Sequence, residues 1–351
     1  MLDVKVLTEK LEQLRIDDCV AGMSVAITDG DKMIYNQGFG FENAMRPEVP
    51  AYADALFKIA SMTKTLTAVM ILRLCEEGVL DLDTPIKNYL PWLKLSRPEA
   101  EKTMTLRHLL IHTAGMPGDT YLEEGSRDDD TIDAQVQKQL PGMPLATLPE
   151  ENVFCYSSWG YNLIGTVAST VTGKLYTKLM SEYVLEPMGM TTSTFDYQIA
   201  STYPLSLPHR YTQDAGFQVI HHQRCNTVYH AGAGLYSNGT DMCKFARFLL
   251  RGGVTDSGER LLKEETFRDM IAKHALKSAV PETYYGYGTF ARVYKDRCIY
   301  GHTGNYTPYN SSIFVDYKTG YGVVTLFNSS ITDLRTRIPE MIFEMLEDTE
   351  K

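Results

Sequence analysis

The sequence predicts an α/β chain of the α+β kind: an antiparallel sheet flanked by N- and C-terminal helices, a mostly helical lobe, and an active-site cleft between them. Three observations predict it. Strand-like runs gather at the two ends of the chain, helix-period runs fill the middle, and an amphipathic helix pattern closes each end. Strands from both ends pair most simply in one sheet. The expected sheet lobe is therefore discontinuous, 1–60 with 285–351, and the helical lobe runs from 61 to 284.

The first element is a helix, because Leu7, Leu11 and Leu14 recur at helical spacing among charges. "GMSVAITDGDKMIYNQGFG" then gives two β-rich runs around Asp29-Gly30-Asp31, a hairpin signal. "SMTKTLTAVMILRLCEEGVL" carries an apolar stripe through Leu66, Met70 and Leu74 and stops at Gly78. "TLRHLLIHTAGMPG" reads as a shorter helix ended by Gly115 and Pro117. An acidic, Gly/Pro-bearing segment from about 115 to 152 is too long for a routine connection. Further helices are expected at about 158–171, 174–185 and 239–251. Strand signals return in "YYGYGTFARVY", "RCIYGHTG" and "NSSIFVDYKTGYGVVTLFN". The closing helix uses Leu334, Ile338, Met341 and Met345, with Pro339 as a kink or a late start.

Bulk properties narrow the function classes. With 44% hydrophobic and 22% charged residues, the 351-residue chain has the make-up of a globular protein with a sizeable core. A net charge of −10 argues against nucleic-acid or anionic-membrane partners. No apolar run is long enough for a transmembrane span, and the N-terminus lacks the apolar core of a signal peptide. The six cysteines lie far apart without a CxxC pair, which fits reduced thiols and a cytoplasmic location.

Chemistry first surfaces in "FKIASMTKTLTAVM". Residues three apart share a helix face, so Lys64 would stand beside Ser61. A serine hydroxyl is a weak nucleophile at neutral pH and needs a neighbouring base. Ser61 is the one serine followed three residues later by a lysine. Two further pieces follow in order: Tyr156-Ser157-Ser158 before a helical run, and His302-Thr303-Gly304 on a late strand.

This ordered set resembles the serine β-lactamase and penicillin-binding-protein superfamily, in its class C-like branch with esterases and D-aminopeptidases. "LDLDTPIKNYLPW", "TLRHLLIHTAGMP", "AGAGLYSNGTDMCKFA" and "YGHTGNYTPYNSSIFVDYKTGYGVVTLFNS" are similar to that branch's framework segments. The resemblance implies a serine hydrolase needing no cofactor or metal, acting through an acyl-Ser61 intermediate on a small ester, amide or short peptide, a D-residue included. It implies Ser61 as nucleophile and Lys64 with Tyr156 as the proton-handling pair, either of them the base. Ser158, His302, Thr303, Gly304 and Asn305 would bind substrate, with the Ser61 and Asn305 N–H groups as oxyanion hole. Gly304 is expected to be glycine so that substrate can lie against its strand. Acyl transfer, and a sensor that acylates without turnover, remain alternatives.

Two positions depart from the lactam-hydrolysing members. Ser158 stands where they carry Asn, and His302 where they carry a Lys that holds a penicillin's carboxylate. Histidine is mostly neutral at pH 7, so poor or no β-lactamase activity is expected. His108 and His112, spaced i,i+4, read as packing and capping residues rather than metal ligands. The run 123–133 carries Glu123, Glu124, Asp128, Asp129, Asp130 and Asp133 against Arg127. The resemblance places this run at the mouth of the cleft, where, with little local positive charge except Lys64 to oppose it, it would favour neutral or cationic substrates.

Overall fold

The computed structural model describes residues 2–118, 131–220, 227–279, 281–329 and 332–348. The strands are β1 (Gly22–Thr28), β2 (Met33–Gly40), β3 (Phe57–Lys58), β4 (His209–Thr212), β5 (Gly216–Val219), β6 (Tyr236–Ser237), β7 (Ala275–Ala279), β8 (Glu282–Tyr285), β9 (Phe290–Tyr294), β10 (Arg297–Tyr306), β11 (Tyr309–Asp316) and β12 (Tyr321–Phe327). The helices that matter most for the site are α1 (Val4–Asp17), α2 (Thr63–Glu76), α3 (Ile86–Tyr89), α4 (Leu106–Leu110), α5 (Ile132–Gln139) and α6 (Ser158–Thr172). After them come α7 (Tyr176–Met180), α8 (Tyr197–Ala200), α9 (His230–Ala233), α10 (Gly239–Leu250), α11 (Glu264–Met270) and α12 (Leu334–Asp348).

Eight strands pair antiparallel in the order β2-β1-β12-β11-β10-β9-β8-β7, so both chain ends contribute to one sheet as expected. Alternation sorts the two faces. Met23, Val25, Ile27, Val323 and Phe327 meet Leu7 and Leu11 of α1 and Leu334, Ile338 and Ile342 of α12. Ala26, Ile313, Val315, Val324 and Leu326 point the other way, into the large core shared with α2, α6 and α10. Covered on both faces, β12 is a nearly continuous apolar run.

Helix α2 is buried on almost every side, from Thr63 to Leu72 and again at Leu74, rather than along the single expected stripe. Pro339 lies inside α12, which begins at Leu334. The sheet also starts ahead of the expected residue 285, because β7 and β8 belong to it. β7 is an edge strand with Leu276, Lys277 and Ala279 exposed, so it lacks a clean period-two signal. The middle of the chain contains two short strand pairs that periodicity did not anticipate, β3 with β6 and β4 with β5. Strands of two or four residues are too short to show a clear period.

Candidate active site

Ser61 lies in a single 3₁₀ turn, Ala60–Met62, that runs straight into α2. Ala60 takes a positive φ of 50°, a left-handed turn that most side chains avoid. The turn is pinned on two sides. Thr63 Oγ1 donates to Ala60 O at 2.7 Å and accepts from Leu235 N–H at 3.3 Å. Ser311 Oγ of β11 donates to Ile59 O at 2.7 Å.

The expected side-by-side placement is present. Lys64 Nζ, fully buried, donates to Ser61 Oγ at 3.1 Å, to Ser158 Oγ at 3.0 Å and to Gly232 O at 2.9 Å. A lysine amine has N–H donors for each of these acceptors. Gly232 belongs to α9, and a Cβ there would come within 3.4 Å of Lys64 Nζ. Its carbonyl was not foreseen, since a backbone acceptor leaves no side-chain trace in a sequence.

Ser158 is the first residue of α6, whose N-cap Ser157 accepts from Gly160 N–H at 3.1 Å. The Ser157 N–H in turn donates to His112 Nδ1 at 3.1 Å. The His112 ring lies 4.2 Å from that of Tyr156, and Lys64 Nζ lies 5.0 Å from the Tyr156 ring centre. Burial, reinforced by the charge of Lys64, holds His112 well below the usual histidine range. It is therefore a neutral wall behind Tyr156, while His108 closes a capping box with Thr105.

His302 lines the cavity beside Ser61, but its polar atoms are engaged inside the protein. Its ring is 1% exposed and stacks on Phe290 at 4.5 Å. Nδ1 donates to Thr303 O at 2.5 Å, and Nε2 then accepts from Tyr285 O–H at 2.8 Å. Both ring nitrogens are thus spent inside the protein. Burial, with Lys64 nearby, pushes the imidazole down to about 3, so it is neutral at any ordinary pH.

Packing gives Gly304 a reason of its own to be glycine. An added Cβ would sit 2.1 Å from Ser311 Oγ and 2.4 Å from Ile59 O. Strand β10 needs glycine there because it packs directly on the turn that carries Ser61.

Ser61, Tyr156, His302, Thr303 and Asn305 open onto one cavity of about 520 Å³. Lys64, Ser158 and Gly304 lie beneath it. Its walls also carry Lys277, Arg292 and Arg335, none of which periodicity or spacing marked out. That overturns the premise that Lys64 is the lone positive charge near the cleft. Residues 119–130, most of the acidic run, lie outside the described residues. Asp133 lines a different cavity, beside Ser169, Tyr176 and His230, where burial lifts its carboxyl to about 6.

A buried amine on a serine hydroxyl at a helix start, beneath the edge of an antiparallel strand, is the arrangement of a serine hydrolase on the β-lactamase/transpeptidase fold. The chain belongs to the Beta-lactamase family, whose sequence model matches residues 7–343. It is 25% identical over 309 residues to Protein flp of Staphylococcus aureus (strain MW2), covering 88% of this chain and 60% of that protein. The chain thus spans about 60% of the length of that curated relative. Among solved structures it is similar to the D-amino acid amidase of Ochrobactrum anthropi SV3, with a TM-score of 0.80 and 21% identity, covering 99% of this chain and 100% of that one. It is also similar to EstCE1, described as a hydrolase with promiscuous acyltransferase activity, with a TM-score of 0.79 and 20% identity, covering 97% and 98% of the two chains. The five described cysteines are free thiols, and no helix among the described residues is long and apolar enough to cross a membrane.

Proposed function

We propose that this chain is a serine hydrolase that forms an acyl-Ser61 intermediate on small esters or amides, including amides and peptides with a D-residue. The observation that carries the reading is Lys64 Nζ, buried and bridging Ser61 Oγ at 3.1 Å and Ser158 Oγ at 3.0 Å. Lys64 orients Ser61 through this bridge and stands within reach of its proton. Lys64 and Tyr156 then act as one unit that takes the Ser61 proton and returns it to the leaving group. The Ser61 and Asn305 N–H groups receive the oxyanion, the first aided by its place at the start of α2.

A neutral, fully engaged His302 supports poor turnover of penicillins and cephalosporins, whose ring-fixed carboxylate needs a cation at that point of the strand. The amidase similar in fold supports the amide reading, and EstCE1 supports acyl transfer to added alcohols or amines as a second one. The test is labelling with a fluorophosphonate followed by peptide mass analysis. One equivalent on the Ser61 peptide, lost in Ser61→Ala, is expected; full labelling of that variant would sink the assignment. A panel of p-nitrophenyl esters, D- and L-aminoacyl anilides and nitrocefin then ranks substrates. Added methanol shifts product to methyl ester if transfer competes with water.

A further inference from the structure

Tyr156 sits on a stretch of chain without regular structure. Residues 152–157 belong to neither helix nor strand, and α6 begins only at Ser158. The two N–H groups that flank Tyr156 both go to one residue. Cys155 N–H donates to His112 O at 2.7 Å, and Ser157 N–H donates to His112 Nδ1 at 3.1 Å. The His112 ring also lies 4.2 Å from the Tyr156 ring, the same ring that Lys64 Nζ approaches to 5.0 Å. One residue thus holds Tyr156 through both chain neighbours and through its side chain.

Histidine is an unfavourable residue for this place on two counts. It follows Ile111, the C-cap of α4, with a φ of 61°. Its N–H donates to Leu109 O at 3.3 Å, and Thr113 N–H donates to His108 O at 2.8 Å. That is the helix ending in which glycine, or less often asparagine, is the usual residue. The side chain is 2% exposed, and Nε2 has no hydrogen-bond partner among the described residues. Because Nδ1 accepts, Nε2 carries the proton of the neutral ring, and that N–H is left buried and unpaired. A residue needed only to end α4 would be glycine. One needed only to fill the space would carry no N–H. Neither need accounts for the acceptor placed at Ser157 N–H.

We infer that His112 is the positioning residue of Tyr156, fixing residues 155–157 and the phenol ring so that Tyr156 and Lys64 work as one unit on the Ser61 proton. The inference rests on the reading of Tyr156 as a member of that unit. His112 acts through Tyr156 and takes no proton itself. Burial, with the charge of Lys64, keeps the imidazole neutral and so leaves Nδ1 free to accept.

The test uses three variants and p-nitrophenyl ester hydrolysis. His112→Phe keeps a ring and removes the acceptor. His112→Asn puts Oδ1 near the place of Nδ1 and tolerates the left-handed turn. His112→Gly suits the turn best and removes both side-chain contacts. His112→Phe and His112→Gly should lower kcat by about tenfold to 100-fold with KM unchanged, since about 1 Å of misplacement costs about 100-fold in rate. His112→Asn should stay closest to native. A cycle with Tyr156→Phe separates positioning from folding. In that background His112→Phe should lower kcat little further, while its effect on Tm persists. A merely structural role would lower kcat by the same factor with or without the Tyr156 hydroxyl. Should His112→Phe not fold, the cycle is run with His112→Gly. Equal losses in both backgrounds, or native kcat in His112→Gly, would overturn the positioning role and leave the hydrolase reading standing. Native kcat in Tyr156→Phe would remove Tyr156 from the proton-handling unit, and the inference with it. A second readout needs no turnover. With tyrosine labelled at 13Cζ, the resonance missing from Tyr156→Phe should be single and sharp in native protein and in His112→Asn, and split or broadened in His112→Phe and His112→Gly. If the native protein hydrolyses no ester, the proposed function fails and this resonance alone decides the positioning; one sharp line in every variant would overturn it.

Discussion

Replacing Gly304 by Ala tests whether β10 and the Ser61 turn form one rigid unit. The new methyl carbon would meet Ser311 Oγ at 2.1 Å, Ile59 O at 2.4 Å and Ala60 Cβ at 3.1 Å. The hydroxyl can rotate away, but the Ile59 carbonyl and the Ala60 turn are backbone and have to move. Overpacking of this kind costs about 1–3 kcal/mol, and two unyielding contacts place Gly304→Ala at the upper end. Over 351 residues, at about 2 cal/mol/K per residue, about 3 kcal/mol lowers Tm by about 4 °C. Activity should suffer more than stability. A shift of about 1 Å in a reacting group costs about 100-fold in rate, and the displaced turn carries Ser61 itself. Adding Ser311→Ala removes the shortest clash but also the 2.7 Å bond from Ser311 Oγ to Ile59 O, so it should restore little. The assays are calorimetric Tm and the rate of fluorophosphonate labelling of Ser61. A Gly304→Ala protein with native Tm and native labelling rate would refute the argument.

Other consequences follow from the same geometry. Lys64→Met and Tyr156→Phe should each raise the acylation barrier by about 2–4 kcal/mol, and the double variant little more than either, since they handle one proton together; additive losses in kcat/KM would separate them. His302 is neutral in the folded state down to about 3, whereas unfolded histidine gains its proton near 6.5. Between those values the unfolded chain binds one more proton, so this site adds stability that is intact above about pH 6.5 and falls as pH drops, by about 1.4 kcal/mol per pH unit. Denaturant titrations at pH 7.5 and 5.0 should therefore show native protein losing about 2 kcal/mol more than His302→Gln, and equal losses would contradict a buried neutral imidazole. Tyr285→Phe removes the donor to His302 Nε2 and leaves a buried ring nitrogen unsatisfied, costing about 1–3 kcal/mol in the same titrations, while fluorophosphonate should still reach Ser61.

The parts legible from sequence were those whose cause is local. Ser61 and Lys64 stand three residues apart on one helix start, so their contact follows from helical geometry alone. Strand β12 is covered on both faces and announces itself as an apolar run. Tyr156, Ser158 and the 302–305 strand were reachable only through the order of motifs along the chain, because nothing local ties them to Ser61. What stayed hidden depends on assembly. The Gly232 carbonyl has no side chain to notice. Tyr285 becomes the partner of His302 only when β8 and β10 are brought together through β9. Lys277 reads as an ordinary surface lysine until a bulge in β7 turns it to the cavity, and Arg335 looks like one more charge on an amphipathic helix.

The pairing of β1 with β12 has a consequence for how the chain reaches this state. Met23 lies opposite Phe327, so the N-terminal hairpin joins the rest of the sheet through segments about three hundred residues apart. Until β12 has been made, the β1–β2 hairpin offers an unpaired, apolar edge, and a two-stranded ribbon is marginal by itself in water. The strand that packs on the Ser61 turn, β10, also comes late in synthesis. A growing or C-terminally truncated chain would therefore carry Ser61 and Lys64 without a sheet to hold them, and would expose a sticky edge. Such a topology folds slowly and favours chaperone capture during translation. Removing α12 and β12 should accordingly yield insoluble protein rather than a smaller, weaker enzyme.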